Sequence, residues 1–394
     1  MPSKNQAAPK RQVVFLASID WDSPWQRHQA FATNFAENGD DVFFVENTGF
    51  RTVRLADAGR IVNRLKNSVA QDRTAGGVRL VSPTILPPTS PAMKYVNGKF
   101  FVRRLLRRLK KMGLGPKPLV FAYLPTETTI QIIDALDPGL VVFDCVDYFK
   151  GHPNAPRDLE ETESRLLSRA DCVLTTSPFL YETQRPRHLR VYELHHGVST
   201  AFFQDNGAHR KRTYRKLCYF GTLWSAIDYR PIEALAKAGF EISLIGHVKE
   251  NLPPLPPSVR VEGHVAPHNL PAALEAYDGY LLPYADSLYN QGVIPAKTYE
   301  CLATGKPVLC SPLRGLERFH DVFYVVRQPA EWVETALRLP TLETPEKSRA
   351  RIELAKEHFA QAQFSKLLGI IADVQSTKAK SPARFAPRGV KTAP

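Results

Sequence analysis

Along the chain, short runs of apolar and β-branched residues recur, and amphipathic stretches separate most of them. The runs fall at 13–17, 41–46, 78–81, 119–123, 140–145 and 172–175, then at 190–194, 217–220, 241–245, 280–282, 307–310 and 322–326. Each is too short for a helix and is apolar on both faces, the pattern of a strand buried within a sheet. Between them, apolar residues recur at helical spacing over 25–38, 160–169, 229–238, 270–277, 295–303 and 330–337. Alternation of this kind predicts an α/β protein with parallel sheets covered by helices on both faces. A dozen strands exceed what one doubly wound sheet usually carries, so two Rossmann-like domains are expected.

The polar stretch 199–212, with Asn206-Gly207, marks the break. The expected organisation is a basic tail over 1–11, a first domain over 12–205 and a second over 206–345. Residues 346–376 form a strandless helical stretch packing back on the first domain, and 377–394 a disordered basic tail rich in Pro, Lys and Ala.

Composition changes this picture little. The 394 residues are 43% hydrophobic and 23% charged, as in ordinary globular proteins. No apolar run approaches the roughly 20 residues that span a bilayer, and the N-terminus lacks the apolar length of a secretory signal. Five scattered cysteines, without a CxxC pair, fit a reducing compartment and neither a zinc site nor a disulfide framework.

Charge changes it more. The net charge of +13 is uneven: from Arg73 to Thr126 there is no Asp or Glu, but eleven Lys or Arg. Within this stretch, 92–112 reads as one amphipathic helix. Val96, Phe100, Val102, Leu105, Leu106, Leu109 and Met112 form its apolar face, and Arg103, Arg104, Arg107, Arg108, Lys110 and Lys111 lie opposite. Such a face suits plain solvent or an anionic lipid or phosphorylated surface. Nucleic acid is disfavoured, because no recognised nucleic-acid motif accompanies the stripe.

Candidate chemistry gathers in two places. From Pro295 to Cys310 the chain combines Pro295 for a helix start, Gly305 for its end and Pro307 to open the next strand. Lys297 and Glu300 are three apart and share a helical face, so a cation and a carboxylate reach one ligand. A nucleoside diphosphate asks for such a pair, with the helix N-terminus beside its phosphates; an exposed ion pair on a helix is the alternative. The strand 141–145 delivers Asp144 and Asp147 at its C-terminal end, where open α/β sheets hold their active sites. Asp147 suits a general base, whereas Asp144 suits a loop hydrogen bond better. Gly221-Thr222 and Gly246-His247 follow strands as turns that admit a ligand closely, but no GxGxxG motif is present. His195-His196-Gly197 reads as a structural turn.

Taken in order, these residues resemble GT-B-fold glycosyltransferases, particularly bacterial enzymes of exopolysaccharide and teichuronic-acid-type assembly. The series runs through Asp20-Trp21, Arg27-His28-Gln29, Phe143 to Asp147, Ala170 to Val173, His196-Gly197-Val198, Tyr219-Phe220-Gly221, Leu244-Ile245-Gly246, Val261 to Val265 and Lys297 to Val308. The resemblance implies an acceptor-binding N-terminal domain and a C-terminal domain holding a nucleotide-sugar, a UDP- or GDP-sugar, with reaction between them. Lys297 and Glu300 match the family residues that contact diphosphate and ribose, and Gly221, Thr222, Gly246 and Gly292 complete the expected donor site. The commonest pattern has a second glutamate where Gly292 stands. The glucuronosyltransferase of xanthan assembly is similar in lacking it and in carrying an aspartate at the place of Asp147. This favours inversion, with Asp147 as base, no metal and no cofactor. Trp21, Arg27, Arg103, Arg104, Arg107 and Arg108 are the expected acceptor or membrane contacts, at the inner face of the cytoplasmic membrane. A nucleotide-sugar epimerase and a non-catalytic glycan-binding scaffold are the alternatives.

Overall fold

A computed structural model describes residues 10–49, 73–86, 88, 90–203 and 213–380. It contains two sheets. The first has eight strands in the order β3-β4-β2-β1-β5-β6-β7-β8, comprising β1 (Gln12–Leu16), β2 (Asp41–Val45), β3 (Arg73–Ala75), β4 (Val78–Val81), β5 (Leu119–Ala122), β6 (Leu140–Cys145), β7 (Cys172–Thr175) and β8 (Val191–Glu193). All its pairings are parallel except β3 with β4. The second is wholly parallel, in the order β11-β10-β9-β12-β13-β14, with β9 (Lys216–Phe220), β10 (Glu241–Ile245), β11 (Val259–Gly263), β12 (Gly279–Leu282), β13 (Val308–Cys310) and β14 (Tyr324–Val325).

The β1 side chains show why the runs are apolar throughout. Val13 and Phe15 enter the core on one face of the sheet, Val14 and Leu16 the core on the other, as the two-residue period of a strand requires. All twelve expected strands are present. Two more, β3 and β11, escaped the sequence reading because edge strands bury little: β11 (Val259–Gly263) has no fully buried residue, and the apolar signal fades with burial.

The C-terminal stretch is two helices, Pro345–Lys356 and Ala360–Lys380. The first stays with the second sheet. Its Arg351 is fully buried, bonded to Glu343 and to the carbonyls of Val322 at 2.8 Å and Gly305 at 2.9 Å. The second crosses back to the first sheet, where Leu367, Ile371 and Val374 join its core and Phe364 meets Phe35 edge-on at 5.0 Å. Helix continues to Lys380, so residues 377–380 are not the disordered tail expected from composition; Lys378 reaches Asp171 at 2.8 Å. Residues 381–394, most of the N-terminal tail and 204–212 of the expected break lie outside the described residues.

The helix expected over 92–112 is interrupted. A helix at Pro91–Val96 passes through a π-helical turn, Asn97–Phe101, into Val102–Lys111. The π turn shifts the angular phase of the helix beyond it. Asn97 is thereby fully buried, with its amide bonded to Leu86 O at 2.7 Å and its carbonyl accepting from Leu86 N at 2.9 Å. Phe100, expected on the apolar face, is instead 56% exposed, near Tyr95 at 62%. Among the described residues no helix is long and apolar enough to cross a membrane, and the five cysteines are buried and free.

Candidate functional site

The C-terminal ends of β9 and β10 form a cradle of backbone. Gly221 (φ +129°) and Gly246 (φ +148°) take conformations that side chains resist, and a methyl on Gly246 would lie 1.9 Å from the Gly221 carbonyl oxygen. Over this cradle stands Lys297. Its Nζ donates to Tyr284 Oη at 2.8 Å and Tyr219 Oη at 3.2 Å; a methyl on Gly221 would lie 2.6 Å from that nitrogen. Tyr219 Oη in turn donates to Thr222 O at 3.1 Å. Burial works against the Lys297 charge, but the two phenols outweigh it and leave its pKa above the ordinary lysine value. The result is a fixed cation facing glycine backbone, suited to an anion's oxygens.

Glu300 follows one turn on, on the helix Lys297–Ala303. Burial pushes its pKa up to about 7, with Lys297 opposing. Among the described residues none hydrogen-bonds its carboxylate, so it is available to a ligand's hydroxyls. The helix itself has only seven residues, so Lys297 outweighs its dipole. Ahead of it, Leu288–Gln291 is a helical turn of its own, capped by Ser287.

Asp147 lies just past the end of β6 and is half-buried. Burial raises its pKa to about 6, against a hydrogen bond from Tyr289 and the charge of Lys249, both from the second half of the chain. Around it gathers an aromatic group from both halves: His152 is parallel to Trp224 at 6.3 Å and edge-on to Tyr289 at 5.4 Å, and Lys249 Nζ lies 4.2 Å from the Trp224 ring centre. Gly292 belongs to this junction rather than to the cradle. A methyl there would lie 2.3 Å from Tyr148 Cβ, and its carbonyl accepts from Ser177 Oγ at 2.6 Å. Tyr148 fills the space a glutamate at position 292 would need.

Asp144 is spent on structure: fully buried, it pairs with Arg27 at 2.7 Å. Arg27 also donates to the carbonyls of Leu194 at 2.8 Å and His195 at 2.9 Å, so it ties β6 to the chain after β8 and is not open to an acceptor. Arg108 likewise turns inward, to Ser82 O at 2.9 Å. Trp21 packs edge-on against Phe44 at 5.0 Å, leaving Trp25 as the tryptophan 46% exposed. Arg103, Arg104 and Arg107 remain exposed. His195 is structural as expected, bonded to Glu193 at 2.9 Å and Thr176 O at 3.2 Å.

Sequence reasoning missed Tyr219, Tyr284, Trp224, Lys249, His152 and Tyr289. For Tyr219 a signal existed: two residues before Gly221, the strand period puts it on the same side. The others lie between or beyond the strands, Tyr289 on the turn Leu288–Gln291, and share no pattern.

No protein-family model matches the chain. Over 211 residues it is 27% identical to the "Putative teichuronic acid biosynthesis glycosyltransferase TuaH" of Bacillus subtilis (strain 168), covering 46% of this chain and 53% of that protein, about half its length. Among solved structures, Anabaena Alr3699/HepE in complex with UDP and glucose is similar at a TM-score of 0.62 and 12% identity, over 91% of this chain and 99% of that one. A UDP-forming α,α-trehalose-phosphate synthase from Burkholderia xenovorans gives 0.62 and 14%, over 93% and 99%. TarM gives 0.59 and 10%, over 92% and 98%. The chain has the GT-B fold of these structures: two Rossmann-like domains, as the resemblance implied.

Proposed function

We propose that this GT-B chain is a glycosyltransferase that moves a sugar from a nucleotide-sugar to a lipid-linked or glycan acceptor in bacterial surface or exopolysaccharide assembly. One observation carries the reading: the Lys297 ammonium, braced by Tyr219 and Tyr284, stands over the glycine backbone at the C-terminal ends of β9 and β10. Relatives support it at two levels, through the name of the TuaH match and through HepE, solved with UDP and with UDP-glucose.

In this reading the donor's diphosphate rests against Lys297 and the backbone after β9, and its ribose hydroxyls donate to Glu300. The acceptor hydroxyl binds beside Asp147. Asp147 takes its proton as the oxygen bonds to the anomeric carbon, and the bond from that carbon to the diphosphate oxygen breaks with its electron pair. Lys297 neutralises the charge arriving on the diphosphate, an electrostatic role needing no metal. Direct displacement inverts the anomeric centre. Arg103, Arg104 and Arg107 hold the acceptor-binding half against the anionic membrane surface where a lipid-linked acceptor resides.

The test separates binding from chemistry. With UDP and GDP as calorimetric probes, Lys297→Ala is expected to weaken nucleoside diphosphate binding at least tenfold. Asp147→Asn is expected to keep that binding and to lower turnover roughly 10²–10⁴-fold, the usual worth of a general base. Near-normal turnover in Asp147→Asn, or undiminished binding in Lys297→Ala, sinks the corresponding role.

A further inference from the structure

The segment from Pro91 to Lys111 presents two large rings to solvent. Tyr95, on the helix Pro91–Val96, is 62% exposed, and Phe100, in the π turn, is 56% exposed. A single exposed ring is ordinary on a protein surface. These two are neighbours, and the fold holds them outward. Lys99 joins them: its ammonium donates to Tyr95 Oη at 3.1 Å and stands 5.7 Å from the Phe100 ring centre. Beneath them the buried Asn97 side chain is bonded to both Leu86 N and Leu86 O, which fixes the turn. The turn also sits tightly on the helix Glu127–Leu136: a methyl on Gly98 would lie 3.1 Å from the Gln131 side chain, which donates to Lys94 O at 3.1 Å. The rings therefore stay exposed unless something covers them from outside.

The charge around them has one sign. Arg103, Arg104 and Arg107 are exposed on the turns that follow, and no Asp or Glu occurs from Arg73 to Thr126. Such a surface matches a bilayer with anionic headgroups: hydrocarbon takes the phenyl ring, and the interface takes phenol, ammonium and guanidinium groups. We propose that Tyr95 and Phe100 are a membrane anchor, entering the boundary between headgroups and acyl chains of an anionic bilayer while Lys99 and the three arginines stay among the headgroups. The proposal rests on the reading that this half of the chain meets a bilayer, and it adds a second kind of force. Attraction between charges is screened by salt, whereas burial of apolar surface persists. The anchor also has a direction. Lys94, beside Tyr95, pairs with Asp158, which ends the segment running from Asp147 past β6 to the helix Leu159–Leu167. Docking through the two rings thus holds that segment near the headgroups, where the sugar of a lipid-linked acceptor lies.

The test uses the full chain and phosphatidylglycerol vesicles. Phe100→Trp puts an indole at the anchor, and brominated acyl chains quench fluorophores that reach them. Quenching in Phe100→Trp is expected to exceed that of the wild type, whose four tryptophans supply the background. In flotation, the wild type is expected to keep part of its binding at high salt. The double variant Tyr95→Ser, Phe100→Ser is expected to lose that part by roughly tenfold or more, since its burial term is gone, with an unchanged melting temperature because both side chains are exposed. No excess quenching, or wild-type binding that high salt abolishes, overturns the anchor and leaves the arginine contact standing. Failure of the wild type to float with the vesicles at low salt removes the bilayer reading, and the anchor with it. None of these outcomes bears on Lys297 or Asp147, whose roles are read from nucleoside diphosphate binding and turnover.

Discussion

Asp147 and Gly246 show how much depends on single positions. The Asp147 carboxylate, raised to about 6 by burial, acts as a base only when ionised. Activity therefore falls as pH drops through 6 and is retained above it. A pH profile of kcat/KM with a single acidic limb near 6 is the expected result; a profile flat down to pH 5 contradicts the assignment. Gly246 is constrained doubly, by φ +148° and by the Gly221 carbonyl that a methyl would strike. Gly246→Ala is expected to cost roughly 2–4 kcal/mol by strain and overlap, read as a lower melting temperature, and to weaken nucleoside diphosphate binding because the cradle must open. Both glycines were visible in the sequence as turns after strands. That they touch each other was not, since 25 residues separate them and only the β9–β10 pairing, with Phe220 opposite Ile245, brings them together.

At the scale of elements, the segment Pro91–Lys111 departs most from its expected form. The alternation of apolar and basic residues correctly indicated a helix with Leu105 and Leu109 inward and Arg103, Arg104 and Arg107 outward. The π turn was illegible, because the buried Asn97 that anchors it looks like an ordinary polar position until Leu86 is beside it. Its outcome is a surface joining exposed cations to exposed aromatics: Lys99 sits 5.4 Å from the Tyr95 ring centre and 5.7 Å from that of Phe100. Aromatic and basic side chains together suit the boundary of an anionic bilayer. The triple variant Arg103→Gln, Arg104→Gln, Arg107→Gln is expected to lose about 3 kcal/mol of affinity for phosphatidylglycerol vesicles, at about 1 kcal/mol per charge. Flotation of wild type and variant at low and high salt measures this; equal binding by both excludes the surface.

At the scale of the whole molecule, the final helix links the halves. Ala360–Lys380 comes after a helix packed on the second sheet yet buries Leu367, Ile371 and Val374 against the first. The crossing is fixed by backbone bonds from Val198 N to His358 O at 2.8 Å and from Ala360 N to Val198 O at 3.0 Å. Since Leu367 is fully buried, Leu367→Ala is expected to destabilise the protein by ~2–5 kcal/mol, and the loss falls on the N-terminal half. Hydrogen exchange tests the location: faster exchange in β1 and β5 with β9 and β10 unchanged is the expected pattern, and uniform acceleration contradicts it.

The sequence by itself determined the elements and their kind. Burial in a parallel sheet demands continuous apolar runs, and a run of that sort survives any arrangement of its neighbours; hence the twelve strands, the two-sheet α/β class, Lys297 with Glu300 on one helical turn, and Asp147 past the end of β6 were all readable. Only the tertiary structure decided which polar groups are consumed by folding and which face a ligand. Arg27 and Asp144 carry the same charges as Lys297 and Asp147, but the former pair is sealed by contacts from residues over a hundred positions away. Whether a charge is buried with a partner or left at a junction depends on what packs over it, and that is a property of distant segments meeting, not of local spacing.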